Sequence, residues 1–459
     1  MGGQPIFILS EGSQRTRGRD AQESNIAAGK AVAESVRSTL GPKGMDKMLV
    51  SSSGDVVITN DGATILQEMD IEHPAAQMIV EVAETQEDEV GDGTTTAAVL
   101  AGQLLLKAQN LLDDDVHATT VVEGYHEASR IAQEAIDGQT LGEDIDAELL
   151  QKVAATSMTG KGTGDIDADT LAEHVVAAVE HVRDGSHVQR DDIHLETKVG
   201  GSSGATELVE GFILDEEPVH DNMPRSVEDA DVLILDAELE VKETEVDAEF
   251  NITNVDQLNA ALESEEASLR EYVEAIADVG ADVVFCTDDV DDRVASWLAN
   301  EGILAFESVN NSDAKALAKA TGAKRVGTLK DLDGDDLGYL ESVHIEKYGD
   351  DELAFVEGGA EAKAVTLFLR GGTEHVVDEL ERAVEDAVDV VVATVESGEV
   401  VPGAGVVVIA IASAVRDAAA SIEGRKQLAV EAFADAIEVI PRTLAENTGM
   451  DQIDALVDL

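Results

Sequence analysis

The chain has 459 residues and a single cysteine, Cys286, so no disulfide bond can form within it. Cys286 ends the apolar run VVFC at 283–286, and we interpret it as a buried hydrophobic side chain. A chain without disulfides fits a reducing compartment, and we expect a cytoplasmic protein. The first residues, MGGQPIFILSEGSQR, also lack the charged and apolar regions of a secretory signal peptide.

Long apolar runs are missing too. The longest weakly polar stretch, residues 400–415, contains Pro402 and Gly403 and is shorter than the roughly 20 apolar residues that a membrane-spanning helix needs. We therefore expect no membrane association and interpret this stretch as buried core.

Basic residues are scarce. The chain has 31 Lys and Arg against 96 Asp and Glu, which gives a net charge of −65 and excludes a basic nucleic-acid-binding protein. With 44% apolar residues, the chain can still bury more than one core. Molar salt screens the repulsion between acidic residues spread along the whole chain, so we interpret the composition as halophilic. The alternative is an acidic mesophilic protein whose charged faces are solvated.

Several common catalytic motifs are absent from the sequence. It contains no Walker A motif, no G-x-G-x-x-G after a strand, no H-E-x-x-H and no G-x-S-x-G. A zinc site therefore has no support, and any nucleotide site must use another kind of loop.

The pattern of apolar residues divides the chain into three regions. Helices are predicted at 25–40, from Pro74, and at 94–112, with a short strand at 55–58. The middle alternates strands, at 194–198, 232–235, 283–285 and 365–369, with helices. Helices return at 375–395 and at 428–444, where Pro441 interrupts the end. This order predicts an α/β region inserted into a helical domain built from both ends of the chain.

The strongest local signal is GDGTTT at 91–96. Two glycines let backbone N–H groups converge on an anion, and the threonines then open a helix whose free N–H groups favour phosphate. Asp92 can lie beside a phosphate only with a cation between them, which implies Mg²⁺. The alternative is a glycine turn in which Thr94 or Thr95 caps the helix.

Weaker candidates lie in two glycine-lysine segments and at two aspartates. LGPKG at 40–44 can wrap a phosphate or simply end a helix, and MTGKG at 158–162 can place Lys161 near a phosphate or form a surface turn. Asp61 and Asp386 can orient or deprotonate a water. Their alternatives are a turn residue for Asp61 and, for Asp386, an ion pair with Arg382 on a solvated helix face.

Nine segments in chain order resemble the motifs of group II chaperonins, the family of the archaeal thermosome and the eukaryotic TCP-1 ring complex. They are LGPKGMDKML (40–49), VVITNDGATIL (56–66), VGDGTTTA (90–97), MTGKG (158–162), VGG (199–201), LRGGTEH (369–375), ERAVEDA (381–387), VVPGAG (400–405) and IPRTLAENTG (440–449). Together with the acidic composition, they indicate a subunit of haloarchaeal type.

The resemblance implies a multidomain chaperonin fold. It consists of a mostly α-helical equatorial domain, an α+β intermediate domain and an α/β apical domain with a helical lid protrusion. Matched onto this chain, the equatorial domain covers 1–143 and 401–459, the intermediate domain 144–211 and 361–400, and the apical domain 212–360. The lid is expected near residues 247–266.

The resemblance also implies an ATPase that works as a chaperone. Mg-ATP binding and hydrolysis close the lid of a chamber formed by two stacked rings, in which non-native client proteins fold. The expected partners are copies of this chain or paralogous subunits in eight- or nine-fold rings, with no nucleic acid and no membrane. ATP and Mg²⁺ are the expected cofactors, with K⁺ as a further candidate.

Site residues follow from the same motifs. The resemblance implies that Asp92 binds Mg²⁺ and that Asp61 and Asp386 are catalytic residues for the hydrolytic water. It places Lys161 near the γ-phosphate, in a nucleotide-sensing loop with Gly160. The other implied nucleotide-binding residues are Leu40, Gly41, Pro42, Gly91, Gly93, Thr94, Thr95, Thr96 and Gly405.

Three features depart from the family pattern. Ala404 replaces the second of three glycines, residues 406–408 lack the usual acidic residue, and family members continue beyond Leu459 with an adenine-side carboxylate, a final helix and a strand that joins the neighbouring subunit. These departures keep a second function open, a structural or regulatory subunit that hydrolyses ATP weakly within rings of active paralogues. A metabolic kinase or synthetase would need a small-substrate pocket, and no motif indicates one.

Overall fold

A computed structural model describes residues 16–51, 54, 56–142, 145–240, 255–349, 351–359 and 364–459. Its helices are α1 Arg19–Arg37, α2 Gly62–Gln67, α3 Pro74–Val90, α4 Thr94–Asp113, α5 Ala118–Asp137, α6 Ala147–Met158, α7 Ala168–Val182, α8 Val255–Val279, α9 Asp292–Glu301, α10 Asn311–Thr321, α11 Glu374–Ser397, α12 Val406–Ala419, α13 Lys426–Ile437, α14 Val439–Thr448 and α15 Gln452–Asp458. Its strands are β1 Lys47–Val50, β2 Val56–Thr59, β3 Arg183–Asp184, β4 His187–Val188, β5 Ile193–Val199, β6 Glu207–Val209, β7 Gly211–Leu214, β8 Ser226–Leu235, β9 Val283–Cys286, β10 Leu304–Phe306, β11 Arg325–Val326, β12 Gly338–Tyr348, β13 Asp351–Gly359 and β14 Val365–Gly371.

The chain forms two compact units. The first contains Met1–Gly162 and Glu385–Leu459, so it is built from both ends of the chain, and the second contains Thr163–Val384. The second half of α11 belongs to the first unit. No helix in the described part of the chain is long and apolar enough to cross a membrane.

The first unit is helical apart from the antiparallel β1–β2 hairpin. One core cluster joins α1, α2, α3, α4 and α14, with Val36, Ile65, Leu66 and Val99 at 3% exposure or less. A second cluster joins α5, α12 and α13 around Ala128, Ala412, Val415 and Val430. These small side chains let the helices approach closely, since a methyl group on Gly124 of α5 would lie 2.4 Å from Cβ of Ala429.

The second unit is built on a mixed sheet of seven strands. Its order is β10-β9-β8-β12-β13-β7, with β11 also paired to β8. The pairs among β8, β9, β10 and β11 are parallel, and those of β12 with β8 and of β13 with β12 and β7 are antiparallel. Strand β9, VVFC, is completely buried, as its continuous apolar run requires. A smaller sheet has the order β5-β14-β6.

Most predicted elements are confirmed. The helix at Pro74 and the helix at Thr94 begin at those residues, the middle region alternates strands and helices, and Cys286 is buried. The single helix predicted at 428–444 is wrong. The chain forms α13 and α14 instead, with Glu438 between them and Pro441 in the first turn of α14, where its missing N–H is tolerated.

The interpretation of residues 400–415 as buried core is only half right. Residues 401 and 402 have no regular secondary structure, residues 403–405 form a turn, and Val401 is 42% exposed. Burial begins at Ile411 in α12, because only one face of that helix packs against α5 and α13. Apolar composition therefore overestimated the burial of this segment.

Candidate active site

Ten of the fourteen candidate residues line a cavity of about 400 Å³ in the first unit. Six parts of the chain supply its walls: the turn after α1, the end of β2, the start of α4, the last turn of α6 with the loop that follows, one residue before α12 and one residue in α14. Its lining residues are Thr39, Leu40, Gly41, Pro42, Asn60, Asp61, Asp92, Gly93, Thr94, Thr95, Thr96, Thr156, Ser157, Thr159, Lys161, Ala404 and Leu444.

The glycines at 91 and 93 shape one wall. Gly91 ends α3 with φ 76° and Gly93 precedes α4 with φ 83°, a left-handed backbone that favours glycine. Gln86 of α3 donates from Nε2 to the backbone oxygen of Asp92 (2.8 Å) and so fixes the loop between the two helices. The N-cap of α4 is Gly93, and no side chain caps the helix, so the alternative in which Thr94 or Thr95 is the cap is wrong. The first N–H groups of α4 stay available to an anion.

Asp61 joins the end of β2 to the start of α4. It is the N-cap of α2, where Oδ2 accepts a hydrogen bond from the backbone N–H of Thr64 (2.6 Å). Its other oxygen, Oδ1, accepts from Thr94 Oγ1 (3.1 Å). Asp61 therefore is a turn residue, as the alternative interpretation predicted, and it also reaches the first residue of α4.

Lys161 and Asp386 form an ion pair in which each side chain is only 13% exposed. Asp386 is thus buried rather than solvated, and Arg382 pairs with Glu379, so the alternative pairing of Asp386 with Arg382 is wrong. Burial lowers the pKa of Lys161, but Asp386, Asp92 and Asp61 outweigh it and raise that pKa, so the ammonium stays charged.

The carboxyl of Asp386 is shifted as well. Burial raises its pKa, Lys161 opposes that shift, and the charges of Asp61 and Asp92 add to it. Asp386 is therefore a better proton acceptor than an exposed aspartate, while still held beside a cation.

Four of the predicted residues support the cavity without lining it. Asp386 is paired with Lys161, and it is Lys161 that lines the cavity. A methyl group on Gly160 would lie 3.1 Å from Cα of Pro42, so the loop at 159–162 lies directly on the Gly41–Pro42 turn. Gly405 has φ 88° and precedes α12, and a methyl group there would lie 2.8 Å from Cβ of Pro441. Gly91 ends α3 beside Asp389.

Ala404 is the neighbour of Gly405 and lines the cavity itself. Its φ is 56°, a left-handed conformation that is unusual for a residue with a side chain. The glycine-to-alanine departure noted in the sequence therefore occurs at a backbone position where glycine is the unstrained residue.

The donor atoms suit a magnesium ion that arrives with a nucleotide. No three His, Cys, Asp or Glu side chains converge as a metal-binding group in the described ranges. Mg²⁺ in nucleotide sites commonly takes one or two carboxylates, with phosphate oxygens and water completing its shell. Asp92 and Asp61, which both line the cavity, offer that donor set.

Sequence reasoning missed two supporting residues, Asn60 and Gln86. Asn60 is 8% exposed, and its Nδ2 donates to the backbone oxygen of Gly160 (2.6 Å) and to Oδ1 of Asp46 (3.2 Å). It therefore links the residue beside Asp61 to the loop that carries Lys161. The position of Asn60 in the NDG turn, directly before Asp61, is the sequence feature that could have indicated its role. Nothing in the local sequence indicates the role of Gln86.

Comparisons with known proteins identify the family. The model of the TCP-1/cpn60 chaperonin family matches residues 32–459. The chain is 68% identical to thermosome subunit 3 of Haloferax volcanii, over 99% of this chain and 87% of the relative. It is 57% identical to thermosome subunit 1 of the same organism, over 100% and 82%, and 56% identical to thermosome subunit alpha of Halobacterium salinarum, over 100% and 82%.

Proposed function

The chain belongs to the TCP-1/cpn60 chaperonin family as a group II subunit that resembles haloarchaeal thermosome subunits, and we propose that the cavity between α4 and α6 is its Mg-ATP site. The family resemblance indicated by the motifs is confirmed, and with it an ATP-dependent chaperone function with ATPase activity. The fold, with its helices and mixed sheets, is that of a chaperonin subunit. The observation that carries the proposal is that Asp61, Asp92 and Lys161 line one cavity and that Asp386 is paired with Lys161.

The phosphates would bind at the start of α4. The free N–H groups at the start of that helix and the backbone of Gly41 suit an anion, and the hydroxyls of Thr95 and Thr96 add donors. The Gly93 N–H and the Thr94 hydroxyl already donate to Asp92 and Asp61, so these two residues hold the acidic side chains in place beside the phosphates. Leu40 and Pro42 would line the same nucleotide cavity, and Gly405 lies against Pro441 just before α12.

Asp92 would hold Mg²⁺ at the phosphates, with Asp61 close by. When bound, the ion offsets the charge of the phosphate oxygens, which otherwise would repel this acidic wall. K⁺ is a further candidate for the same anionic surroundings.

Asp61 and Asp386 would handle the hydrolytic water. Asp61 orients it from the end of β2, and Asp386, whose pKa burial raises, accepts its proton as the water oxygen bonds to the γ-phosphorus and the bond to the β–γ bridging oxygen breaks. Lys161 lies beside Asp386, so a γ-phosphate in the cavity offers the ammonium a second anionic partner. This arrangement supports a role for Gly160 and Lys161 in sensing the nucleotide.

We assign the domains by the same resemblance. The equatorial domain comprises 1–143 and 401–459, the intermediate domain 144–211 and 361–400, and the apical domain 212–360. The first of these boundaries, at 143 and 144, and the one at 360 and 361 lie outside the described residues. Of the proposed lid at 247–266, residues 247–254 also lie outside them, and the rest opens α8.

We further propose that the chain assembles into two stacked rings with itself or with paralogues. Its similarity to two different thermosome subunits of one organism supports mixed rings. Such rings would enclose non-native client proteins, and ATP hydrolysis would close the lid over them.

Turnover of ATP by purified protein in molar KCl with Mg²⁺ tests the site. Asp386→Ala should abolish most hydrolysis, while Glu385→Ala, at an exposed neighbour on the same helix, should hydrolyse as the unmodified protein does. Equal rates for Asp386→Ala and the unmodified protein would refute the assigned mechanism.

A second function is supported by one observation, the left-handed backbone of Ala404 at the cavity wall. If Ala404 crowds the nucleotide, the chain is a weakly active structural or regulatory subunit of a mixed ring. Such a subunit, purified alone, should form no rings and hydrolyse little ATP, yet co-purify with active paralogues. Rings of this chain alone with normal turnover would rule that function out.

A further inference from the structure

The end of α6 carries three hydroxyl side chains that line the cavity, and they differ in their hydrogen bonds. Thr156 Oγ1 donates to the backbone oxygen of Lys152 (2.6 Å), and Thr159 Oγ1 donates to that of Ala155 (2.6 Å). Both use the bond to the residue four positions earlier that such side chains commonly make in helices. Ser157, between them, does not.

The Ser157 hydroxyl is buried and unpaired. The residue is 8% exposed, and within the described part of the chain its Oγ has no hydrogen-bond partner. Leaving a buried hydroxyl unpaired costs about 1–3 kcal/mol. Rotation about χ1 gives a helical serine access to a backbone oxygen, and the Ser157 hydroxyl does not make that bond.

The cavity is where that partner can come from. Ser157 lines this cavity together with Gly41, Thr94 and Lys161, and so lies beside the proposed phosphate-binding backbone and the proposed sensing lysine. Lys161 is the one cationic side chain among the residues that line the cavity, against Asp61 and Asp92. A neutral donor is valuable to an anionic ligand in such surroundings, because it adds a hydrogen bond without adding negative charge.

We propose that Ser157 is a nucleotide-binding residue whose hydroxyl forms a hydrogen bond with an oxygen of the sugar–phosphate part of the bound nucleotide. The proposal rests on the proposed function of the cavity and adds to it a contact on α6. A hydroxyl can both donate and accept, so a phosphate oxygen and a ribose hydroxyl are both suitable partners.

Ser157→Ala removes only the oxygen atom and separates this role from a structural one. Since Oγ has no partner in the protein, its removal should leave the thermal midpoint unchanged or raised. The affinity for Mg-ATP should fall about fivefold to tenfold, the value of one hydrogen bond to the ligand. If the Ser157 hydroxyl stabilised the fold instead, Ser157→Ala would lower the thermal midpoint and leave the affinity for Mg-ATP unchanged.

Ser38→Ala is the matched control. Ser38 Oγ is also buried and without a partner among the described residues, but Ser38 does not line the cavity. Its replacement should leave the affinity for Mg-ATP unchanged.

Calorimetric titrations of the whole protein in molar KCl, with Mg-ATP and with Mg-tripolyphosphate, test the proposal. Weaker binding of both ligands to Ser157→Ala places the contact on a phosphate, and weaker binding of Mg-ATP alone places it on the sugar. Unchanged Mg-ATP affinity in Ser157→Ala, with normal binding by the unmodified protein, would overturn this proposal alone. Absence of Mg-ATP binding by the unmodified protein would overturn the proposed function and this contact with it.

Discussion

Lys161 and Asp386 lie 225 positions apart in the chain, yet they form an ion pair in which neither side chain is more than 13% exposed. The pair joins the loop after α6 to α11, that is, the N-terminal and C-terminal segments of the first unit. Neither charge could be buried alone without a large desolvation cost, so each residue explains the burial of the other.

Lys161→Met should destabilise the first unit by about 3 kcal/mol, because it leaves the Asp386 carboxylate buried without its cation. Adding Asp386→Asn to that variant should restore much of the loss, since no buried charge then remains. Urea unfolding in molar KCl measures both. A double variant no more stable than Lys161→Met would show that the pair is not the source of the stability.

Asn60→Ala should reduce ATP turnover more than ATP affinity. It removes the bond to the backbone oxygen of Gly160 and so loosens the loop of Lys161, at a cost of about 1–2 kcal/mol, while the wall formed by α4 is untouched. Asp46→Ala is the control, because it removes only the other partner of the same amide and leaves the Gly160 contact. Steady-state kinetics should then show normal turnover for Asp46→Ala, and equal effects of the two substitutions would contradict the argument.

The two glycines before α4 should differ in their tolerance of alanine. In Gly91→Ala the new methyl group would lie 2.2 Å from Cβ of Asp389, which adds a clash to the strain of φ 76°. In Gly93→Ala the nearest atom is Nε2 of Gln86 at 3.4 Å, so the strain alone applies, about 1 kcal/mol. We expect Gly91→Ala to lower the thermal midpoint clearly more than Gly93→Ala. Similar midpoints would mean that α3 and α11 adjust their spacing easily.

Glu87, near the end of α3, should make stability depend on pH. Burial raises its pKa to about 7, and the charges of Asp61, Glu385, Asp88 and Glu84 contribute. The folded state holds the proton of Glu87 more tightly than the unfolded chain does. The free energy of unfolding therefore falls as the pH rises from about 4.5 to about 7, and above that range the contribution of Glu87 no longer changes.

Glu87→Gln abolishes this ionisation. Its thermal midpoint should therefore exceed that of the unmodified protein at pH 8 and approach it near pH 4.5, as thermal scans in molar KCl at both values would show. A difference that is the same at both pH values would mean that the carboxyl does not titrate in this range.

The net charge of −65 should make assembly depend on salt. At 1 M salt the Debye length is about 3 Å and at 0.1 M about 10 Å, so repulsion between neighbouring acidic subunits grows on dilution of the salt. Sedimentation or electron microscopy should show rings in molar KCl that separate at low ionic strength. Rings that persist unchanged would argue against the halophilic interpretation.

Local chemistry made part of this molecule predictable from the sequence alone. The start of α3 at Pro74 and of α4 after Gly93 follow from residues within one helical turn, because proline and glycine restrict or free their own backbone. The motif order likewise identified the family, and it named most of the residues that now line one cavity.

Tertiary structure alone decided the rest, since it depends on contacts between distant segments. The sequence did not show that β2 pairs with β1, that the chain breaks at Glu438, or that Arg382 and Asp386 have different partners. It marked neither Asn60 as the link to Gly160 nor Ser157 as the unpaired hydroxyl of α6. Whether a polar side chain is paired is a property of everything packed around it, and this is why composition and spacing could propose the site but not describe its hydrogen bonds.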